Sequence, residues 1–127
     1  MFSAMIGTNA IQKFKTAKGE CMPYLIIAHD NPGMEAKREE LREAHRSYLA
    51  AQGKKLLASG ALLSEGGNNI QGGASLLDTE DFNEAVRFEA QDPYAKAGIR
   101  SRVEVIQWRL RWWIGQFKAD GHHPSCE

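Results

Sequence analysis

Two side chains in this sequence could carry out acid–base chemistry together: His45 and Asp92. An imidazole titrates near neutral pH, so it can accept or donate a proton under physiological conditions. Asp92 is followed at once by Pro93. Proline disfavours the α conformation at the preceding residue, so we expect Asp92 to be held in an extended conformation where a helix ends. A carboxylate held in this way could orient the ring of a catalytic histidine.

Both residues also have a purely structural interpretation. His45 falls on the apolar side of a predicted helix, beside Leu41 and Tyr48, where a histidine can be a core residue with one hydrogen bond. Asp-Pro is common in turns, so Asp92 could simply form the turn after a helix. The residue types alone leave the two interpretations open.

Four further residues are candidates for substrate binding. Arg42 could bind an anionic substrate oxygen, or it could be a solvated cation on the helix surface. Tyr94 could donate a hydrogen bond into a pocket, or its ring could pack under the turn. Ser59 and Gly60 interrupt an apolar run, and they could offer backbone N–H groups to a ligand or mark a β-bulge.

The elements that must position these residues follow from the hydrophobic pattern. Short apolar or alternating runs predict strands over residues 23–29, 56–63, 74–78 and 102–114. Three- and four-residue spacing predicts helices over residues 34–52 and 80 to about 90. We expect Thr79 to cap the second helix and residues 64–73 to form a loop. The alternation changes phase near Val105 and Ile106, which predicts a bulge there.

This order of strands and helices predicts a ferredoxin-like βαββαβ fold of the α+β class. In that fold, one antiparallel sheet carries two helices on one face. Many aliphatic strand residues and three tryptophans indicate that the other face is also covered. A second copy of the same sheet would cover it. We therefore expect a homodimer that packs sheet to sheet, as a dimeric α+β barrel.

We expect the domain to span residues 22–117, between an N-terminal extension over 1–21 and a flexible tail over 118–127. The extension has no acidic residue before Lys18. It fits either a targeting or membrane-surface helix, or a segment packed on the domain or on a partner subunit. The tail contains metal-ligand residue types, namely His122, His123 and Cys126, but no second cluster accompanies them, so we predict no metal site.

The composition argues against several classes of partner. Sixteen basic and sixteen acidic residues cancel, so no overall charge attracts the chain to nucleic acid or to an anionic membrane. No apolar run reaches the roughly 20 residues needed to cross a bilayer. Two cysteines, Cys21 and Cys126, match neither a disulfide framework nor a zinc motif, and no secretory signal pattern is evident. We therefore expect a cytoplasmic protein.

Three stretches of the chain resemble the YciI-like (YCII-related) family: residues 24–30 (YLIIAHD), 42–45 (REAH) and 92–99 (DPYAKAGI). Residues 53–60 also resemble the second strand of that family. The resemblance covers about residues 22–114, and its most specific part is Asp-Pro-Tyr with the Ala-Gly that follows.

The resemblance implies a ferredoxin-like α+β fold, dimeric barrel-like assembly and a relationship to muconolactone-isomerase-like enzymes. It also implies an active site built on a histidine–aspartate pair, which falls on His45 and Asp92. One branch of the family dehydrochlorinates a chlorinated hydroxyhydroquinone. We therefore expect a lyase or isomerase that needs no cofactor and acts on a small cyclic or phenolic substrate. The alternative is a non-catalytic module that binds a small molecule or serves a dimeric assembly.

Overall fold

A four-stranded antiparallel sheet with the strand order β2-β3-β1-β4 is the framework of the fold. The structure is a computed structural model that describes residues 22–117, so the predicted extension, the tail and its His122, His123 and Cys126 lie outside the described residues. The elements are β1 (Tyr24–Asp30), α1 (Glu35–Ala50), a 3-10 turn (Gly53–Lys55), β2 (Leu56–Leu63), β3 (Ile70–Leu77), α2 (Phe82–Ala90), α3 (Pro93–Lys96), β4 (Arg100–Gln107), β5 (Trp112–Trp113) and β6 (Gln116–Phe117). The predicted ferredoxin-like α+β fold is confirmed. In the described part of the chain, no helix is both long and apolar enough to cross a membrane.

One face of the sheet carries the core. Tyr24 and Ile26 alternate along β1 and lie on the same face, and Leu77 of β3 joins them because it pairs with Tyr24. These side chains pack against residues of both long helices, namely Tyr48 and Leu49 of α1 and Ala85 and Phe88 of α2. Both helices therefore cover the same face of the sheet, as the sequence predicted.

A β-bulge in β4 decides which side chain lies next to Asp30. His29 pairs with Arg102, but Asp30 pairs with Arg100, so Ser101 is an extra residue in the ladder. Without this bulge, Ser101 would stand opposite Asp30. The bulge instead places Arg100 there, and its Nη1 lies 2.8 Å from Asp30 Oδ1.

The last predicted strand is wrong in its length and in the position of its bulge. β4 ends at Gln107, and the pairing of Val105 and Ile106 with β1 is continuous, so the bulge lies at the start of the strand. The rest of the predicted strand contains a small hairpin, β5–β6, that turns at Ile114 and Gly115. Both turn residues have a positive φ, 50° and 74°, as a two-residue hairpin turn of type I′ requires.

β3 begins four residues earlier than predicted, at Ile70, because its glycines belong to the sheet and not to the loop. Gly72 pairs with His29 of β1, and a Cβ atom added at Gly72 would lie only 2.1 Å from the carbonyl oxygen of Ala28. A glycine therefore permits a close approach of two strands here.

The predicted cap of α2 is also wrong. The N-cap is Asp81, whose side chain accepts a hydrogen bond from the Asn83 N–H at 2.9 Å. The Thr79 hydroxyl accepts from the Asp81 N–H and donates to Glu84, so it lies just before the helix and fixes the cap residue itself.

Candidate active site

A pocket of about 590 Å³ lies between α1 and the sheet. Its walls include all six residues that the sequence singled out: Arg42, His45, Ser59, Gly60, Asp92 and Tyr94. Strands β2 and β3 contribute mostly small residues, among them Gly60, Ala61 and Gly73, so the sheet side leaves room beneath the helix.

His45 and Asp92 are in contact at this pocket. His45 Nδ1 lies 2.9 Å from Asp92 Oδ1. The Asp92 side chain is 3% exposed and that of His45 is 19% exposed, so the carboxylate is buried behind a ring that reaches the pocket. Because Nδ1 is engaged by Asp92, Nε2 is the ring nitrogen that remains for a ligand.

Local structure explains the position of Asp92. Its backbone is extended, with φ −63° and ψ 134°, as the following proline predicted. Its Oδ1 also accepts a hydrogen bond from the Tyr94 N–H at 2.9 Å and caps α3, with Pro93 at the first turn. Both interpretations of Asp92 therefore describe real contacts: it forms the turn and it meets the histidine.

Tyr94 fixes the plane of the imidazole. The two rings are stacked, with centroids 4.0 Å apart and an interplanar angle of 11°. Tyr94 is 3% exposed, and its hydroxyl lies 3.4 Å from the carbonyl oxygen of Arg38. The guanidinium carbon of Arg38 lies 4.7 Å from the centroid of the tyrosine ring, so Tyr94 contacts a cation as well as the imidazole.

A buried network of charges lies behind this pair. Arg100 Nε is 3.0 Å from Glu89 Oε2, and its Nη2 is 3.8 Å from Asp92 Oδ2. The same guanidinium contacts Asp30, whose other oxygen lies 2.6 Å from Arg38 Nε. One arginine therefore stands among three buried carboxylates, and a second arginine neutralises one of them.

The electrostatics of the network reflect its burial. Burial raises the pKa of Glu89, and the nearby Arg100 only partly opposes this effect. Burial also works against the charge of Arg100, but the carboxylates of Glu89 and Asp30 hold its pKa above the ordinary value. Burial, with Asp92 and Glu89 close by, raises the pKa of Tyr48, whose hydroxyl donates to the Phe88 carbonyl at 2.9 Å.

Sequence reasoning missed four members of this network: Asp30, Arg38, Glu89 and Arg100. Arg38 had a usable signal, because it lies on the apolar stripe of α1 one turn before Arg42, where a long polar side chain needs a buried partner. Arg100 had no such signal in the sequence. The β-bulge at Ser101 that turns Arg100 toward the helices cannot be recognised from the pattern of apolar and polar residues.

The other candidates lie farther from the histidine–aspartate contact. Arg42 is at the rim, 47% exposed, and its guanidinium pairs with Glu39. Ser59 Oγ is 2.9 Å from Ser75 Oγ across the β2–β3 ladder. Ser59 and Gly60 do not mark a β-bulge, one of the two alternatives that the sequence left open, because the register irregularities of β2 lie at its two ends.

Residues 22–117 contain no group of three histidine, cysteine, aspartate or glutamate side chains placed to hold a metal ion. The chemistry available at the pocket is that of an oriented imidazole, buried carboxylates and polar groups on the sheet.

Known proteins resemble this chain over the same region. An uncharacterised protein of Haemophilus influenzae is 33% identical over 95 residues, which cover 66% of this chain and 93% of that protein. A solved structure of 5-chloro-2-hydroxyhydroquinone dehydrochlorinase from Burkholderia phenoliruptrix, in complex with 2,5-dihydroxybenzoquinone, superposes with a TM-score of 0.64. It is 28% identical and covers 68% of this chain and 93% of its own.

The sequence model of the YCII-related domain matches residues 22–109. This match begins where the described structure begins and includes the whole four-stranded sheet, both long helices and the His45–Asp92 contact. The family resemblance seen in the sequence is confirmed: the chain belongs to the YCII-related domain family.

Proposed function

We propose that this protein is a lyase or isomerase in which His45 exchanges a proton with a small cyclic or phenolic substrate. The single observation that carries the proposal is the 2.9 Å contact between His45 Nδ1 and Asp92 Oδ1 on the wall of a pocket. The pocket volume of about 590 Å³ falls in the range typical of small-molecule sites. The similarity to a dehydrochlorinase bound to a dihydroxyquinone supports a ring-shaped substrate.

In this mechanism Asp92 holds His45 in one tautomer. With its Nδ1–H donated to Asp92, the ring presents the lone pair of Nε2 to the substrate. When Nε2 takes a proton from a C–H or O–H group, the electron pair of the broken bond stays on the substrate. In a lyase this pair expels a leaving group, and in an isomerase the proton returns to a different atom. The Asp92 carboxylate stabilises the imidazolium formed in between.

The remaining pocket residues have supporting roles in the proposal. Tyr94 keeps the imidazole plane fixed by stacking. Arg42 at the rim stabilises an oxyanion that develops on the substrate. Ser59 and Gly60 contact the substrate from the sheet side of the pocket. Proton transfer of this kind contributes about 10²- to 10⁴-fold to a rate, and it requires no cofactor.

The experiment that tests the proposal is a substrate screen with a matched variant. The wild-type protein and His45→Gln are incubated with chlorinated hydroquinones, dihydroxybenzoquinones and unsaturated lactones, and products are followed by proton NMR. Chloride release is measured for the chlorinated compounds. Conversion by the wild type and not by the variant supports the proposal, whereas equal conversion by both refutes it.

One observation favours a second candidate, a non-catalytic module that binds a small molecule. Asp92 Oδ1 caps α3 as well as contacting His45, so the position of Asp92 has a structural explanation that requires no catalysis. In that case pocket ligands would raise the melting temperature of both wild type and His45→Gln, without any chemical change in the ligand.

We also propose that the protein is a cytoplasmic homodimer that packs sheet to sheet. The sheet face opposite the helices carries Leu25 and Ile27, both half-buried, and Ile106, which is 46% exposed. Apolar strand residues that are partly exposed on one face of a sheet are typical of an interface between subunits. Light scattering should therefore give a mass of about twice the 14.1 kDa of the chain.

A further inference from the structure

The buried charges behind the His45–Asp92 contact have a simple balance. The carboxylates of Asp30 and Asp92 are matched by the guanidinium groups of Arg38 and Arg100. The side chains of all four are at most 12% exposed. Two titratable groups are left over, the Glu89 carboxyl and the His45 imidazole. Because a net charge is costly in a buried site, a single proton on these two groups would give the buried cluster its most favourable charge.

Glu89 is placed to take part in this balance. It lies in the last turn of α2, is 6% exposed and contributes to the wall of the pocket. Its Oε2 accepts from Arg100 Nε at 3.0 Å, and Nη2 of the same guanidinium lies 3.8 Å from Asp92 Oδ2. Asp92 in turn contacts His45. A chain of three contacts therefore joins Glu89 to the imidazole.

We propose that Glu89 is a second proton-binding group of this pocket and that Glu89 and His45 together hold one proton, because the two groups are coupled electrostatically across the Arg100–Asp92 contact. With one proton between them, the cluster is neutral in either arrangement. Glu89 is protonated and His45 is neutral, or Glu89 is ionised and His45 is an imidazolium. A second proton would leave the cluster with a charge of +1, and loss of both would leave −1, since the other four charges cancel.

The charged and titratable groups around the pair come from several elements. Four exposed side chains of α1 line the same pocket, namely Glu35, Glu39, Arg42 and Arg46. Asp30 (β1), Arg38 (α1), Asp92, Tyr94 (α3) and Arg100 (β4) contact one another or the pair directly. Tyr48 of α1 is close enough to Glu89 and Asp92 for their charges to act on it, and the charges of Glu89 and His45 act on each other in the same way. Burial favours the protonated form of Glu89.

This inference deepens the proposed function. Only the role of Glu89 in catalysis rests on that function; the coupled titration of Glu89 and His45 does not. With the proton on Glu89, His45 is the neutral base that the mechanism needs. A substrate proton then taken by Nε2 leaves an anion on the substrate, and that anion restores neutrality in the pocket. Glu89 is thus a positioning residue, which acts on the reaction through Arg100 and Asp92.

The test is an NMR titration of the full chain labelled with carbon-13, from about pH 4 to about pH 9, which spans the ordinary pKa values of both groups. The signals followed are the His45 Cε1, assigned with His45→Gln, and the Glu89 carboxyl carbon, assigned with Glu89→Gln. Groups that share a proton titrate together, so each curve should show two inflections at shared pH values. In Glu89→Gln the His45 curve should have a single inflection, because the group that shares its titration is gone.

Glu84→Gln is the matched control. It makes the same change on the same helix, but Glu84 contacts Lys55 and Thr79 and not the pair. Independent single inflections for His45 and Glu89 in the wild type would overturn the proposal, and so would a His45 curve in Glu89→Gln that departs from the wild-type curve no more than that of Glu84→Gln does. The wild-type His45 curve, assigned with His45→Gln, decides by its one or two inflections even if Glu89→Gln does not fold. Since no turnover is measured, failure here is distinct from failure of the proposed reaction.

Discussion

Asp92 contacts His45 through the same carboxylate oxygen that caps α3. Oδ1 lies 2.9 Å from His45 Nδ1 and accepts the Tyr94 N–H at 2.9 Å. The cap fixes where the oxygen lies, and Tyr94, whose own N–H makes that cap, stacks on the imidazole. One short helix therefore orients both the carboxylate and the ring.

Substitutions at Asp92 should separate these two roles. Asp92→Asn keeps a side-chain oxygen for the Tyr94 N–H but loses the charge, so we expect turnover to fall by about 10²- to 10⁴-fold. Asp92→Ala loses the cap as well, and it should lower the free energy of unfolding by about 1 kcal/mol more than Asp92→Asn. Initial rates and urea denaturation measure the two effects. Equal turnover in wild type and Asp92→Asn would contradict the orienting role.

The glycines of the sheet provide a direct test of strand packing. In Gly72→Ala the new methyl group would be placed 2.1 Å from the Ala28 carbonyl oxygen, so the two strands must move apart. Overpacking of this kind costs about 1–3 kcal/mol. Gly60→Ala is the control, because no atom lies within 4 Å of its added Cβ. Urea denaturation should show a clear loss for Gly72→Ala and little change for Gly60→Ala; similar values for both would refute this account of the β1–β3 contact.

The stability of the protein should depend on pH in opposite ways through two glutamates of α2. Burial raises the pKa of Glu89, so above its ordinary pKa of 4.5 the folded state binds more protons there than the unfolded state. Its contribution to stability is therefore present below pH 4.5 and is lost as the pH rises through the folded pKa. Relative to Glu89→Gln, the wild type should lose free energy of unfolding over that rise in pH.

Glu84 behaves in the opposite sense. Burial acts to raise its pKa, but hydrogen bonds from Thr79 and Lys55 outweigh burial and lower it below the ordinary 4.5. Its contribution is present above pH 4.5 and is lost as the pH falls through the folded pKa. Urea denaturation of both Gln variants over a pH series measures how each glutamate's contribution to the free energy of unfolding changes with pH. If both contributions changed in the same direction, the contacts described for the two residues would be contradicted.

Much of the architecture could be predicted from the sequence, because it depends on local patterns. The apolar run 56–63 is β2 with the predicted bounds, and the stripe of α1 that holds Arg38, His45 and Tyr48 is its half-buried side. The contact between His45 and Asp92 depends on how α1 and α3 approach each other across 47 residues, which no local pattern contains. The last predicted strand is longer than the observed one because Ile114 lies within an alternating run of residues. Isoleucine rarely adopts the positive φ that it has in this turn, so the pattern gives no sign of the turn.

The proposed dimer can be broken without touching the pocket. Ile27 alternates with Ile26 and therefore lies on the sheet face opposite the helices. Ile27→Glu would bury a charge in a sheet-to-sheet interface, so light scattering should show a monomer. Val103→Glu is the matched control, because Val103 pairs with Ala28 on the helix-covered side and is 39% exposed there. It should leave the mass unchanged, and a dimer that persists in Ile27→Glu would argue against this interface.

The most direct test of the central claim is the initial rate of wild type and His45→Gln on a compound that the wild type converts. The side-chain amide of Gln can still donate a hydrogen bond to Asp92, but it cannot exchange a proton near neutral pH. We predict unchanged melting behaviour and a loss of about 10²-fold or more in kcat/KM. A folded His45→Gln protein that converts the same compound at the wild-type rate would contradict the proposal that His45 carries the proton.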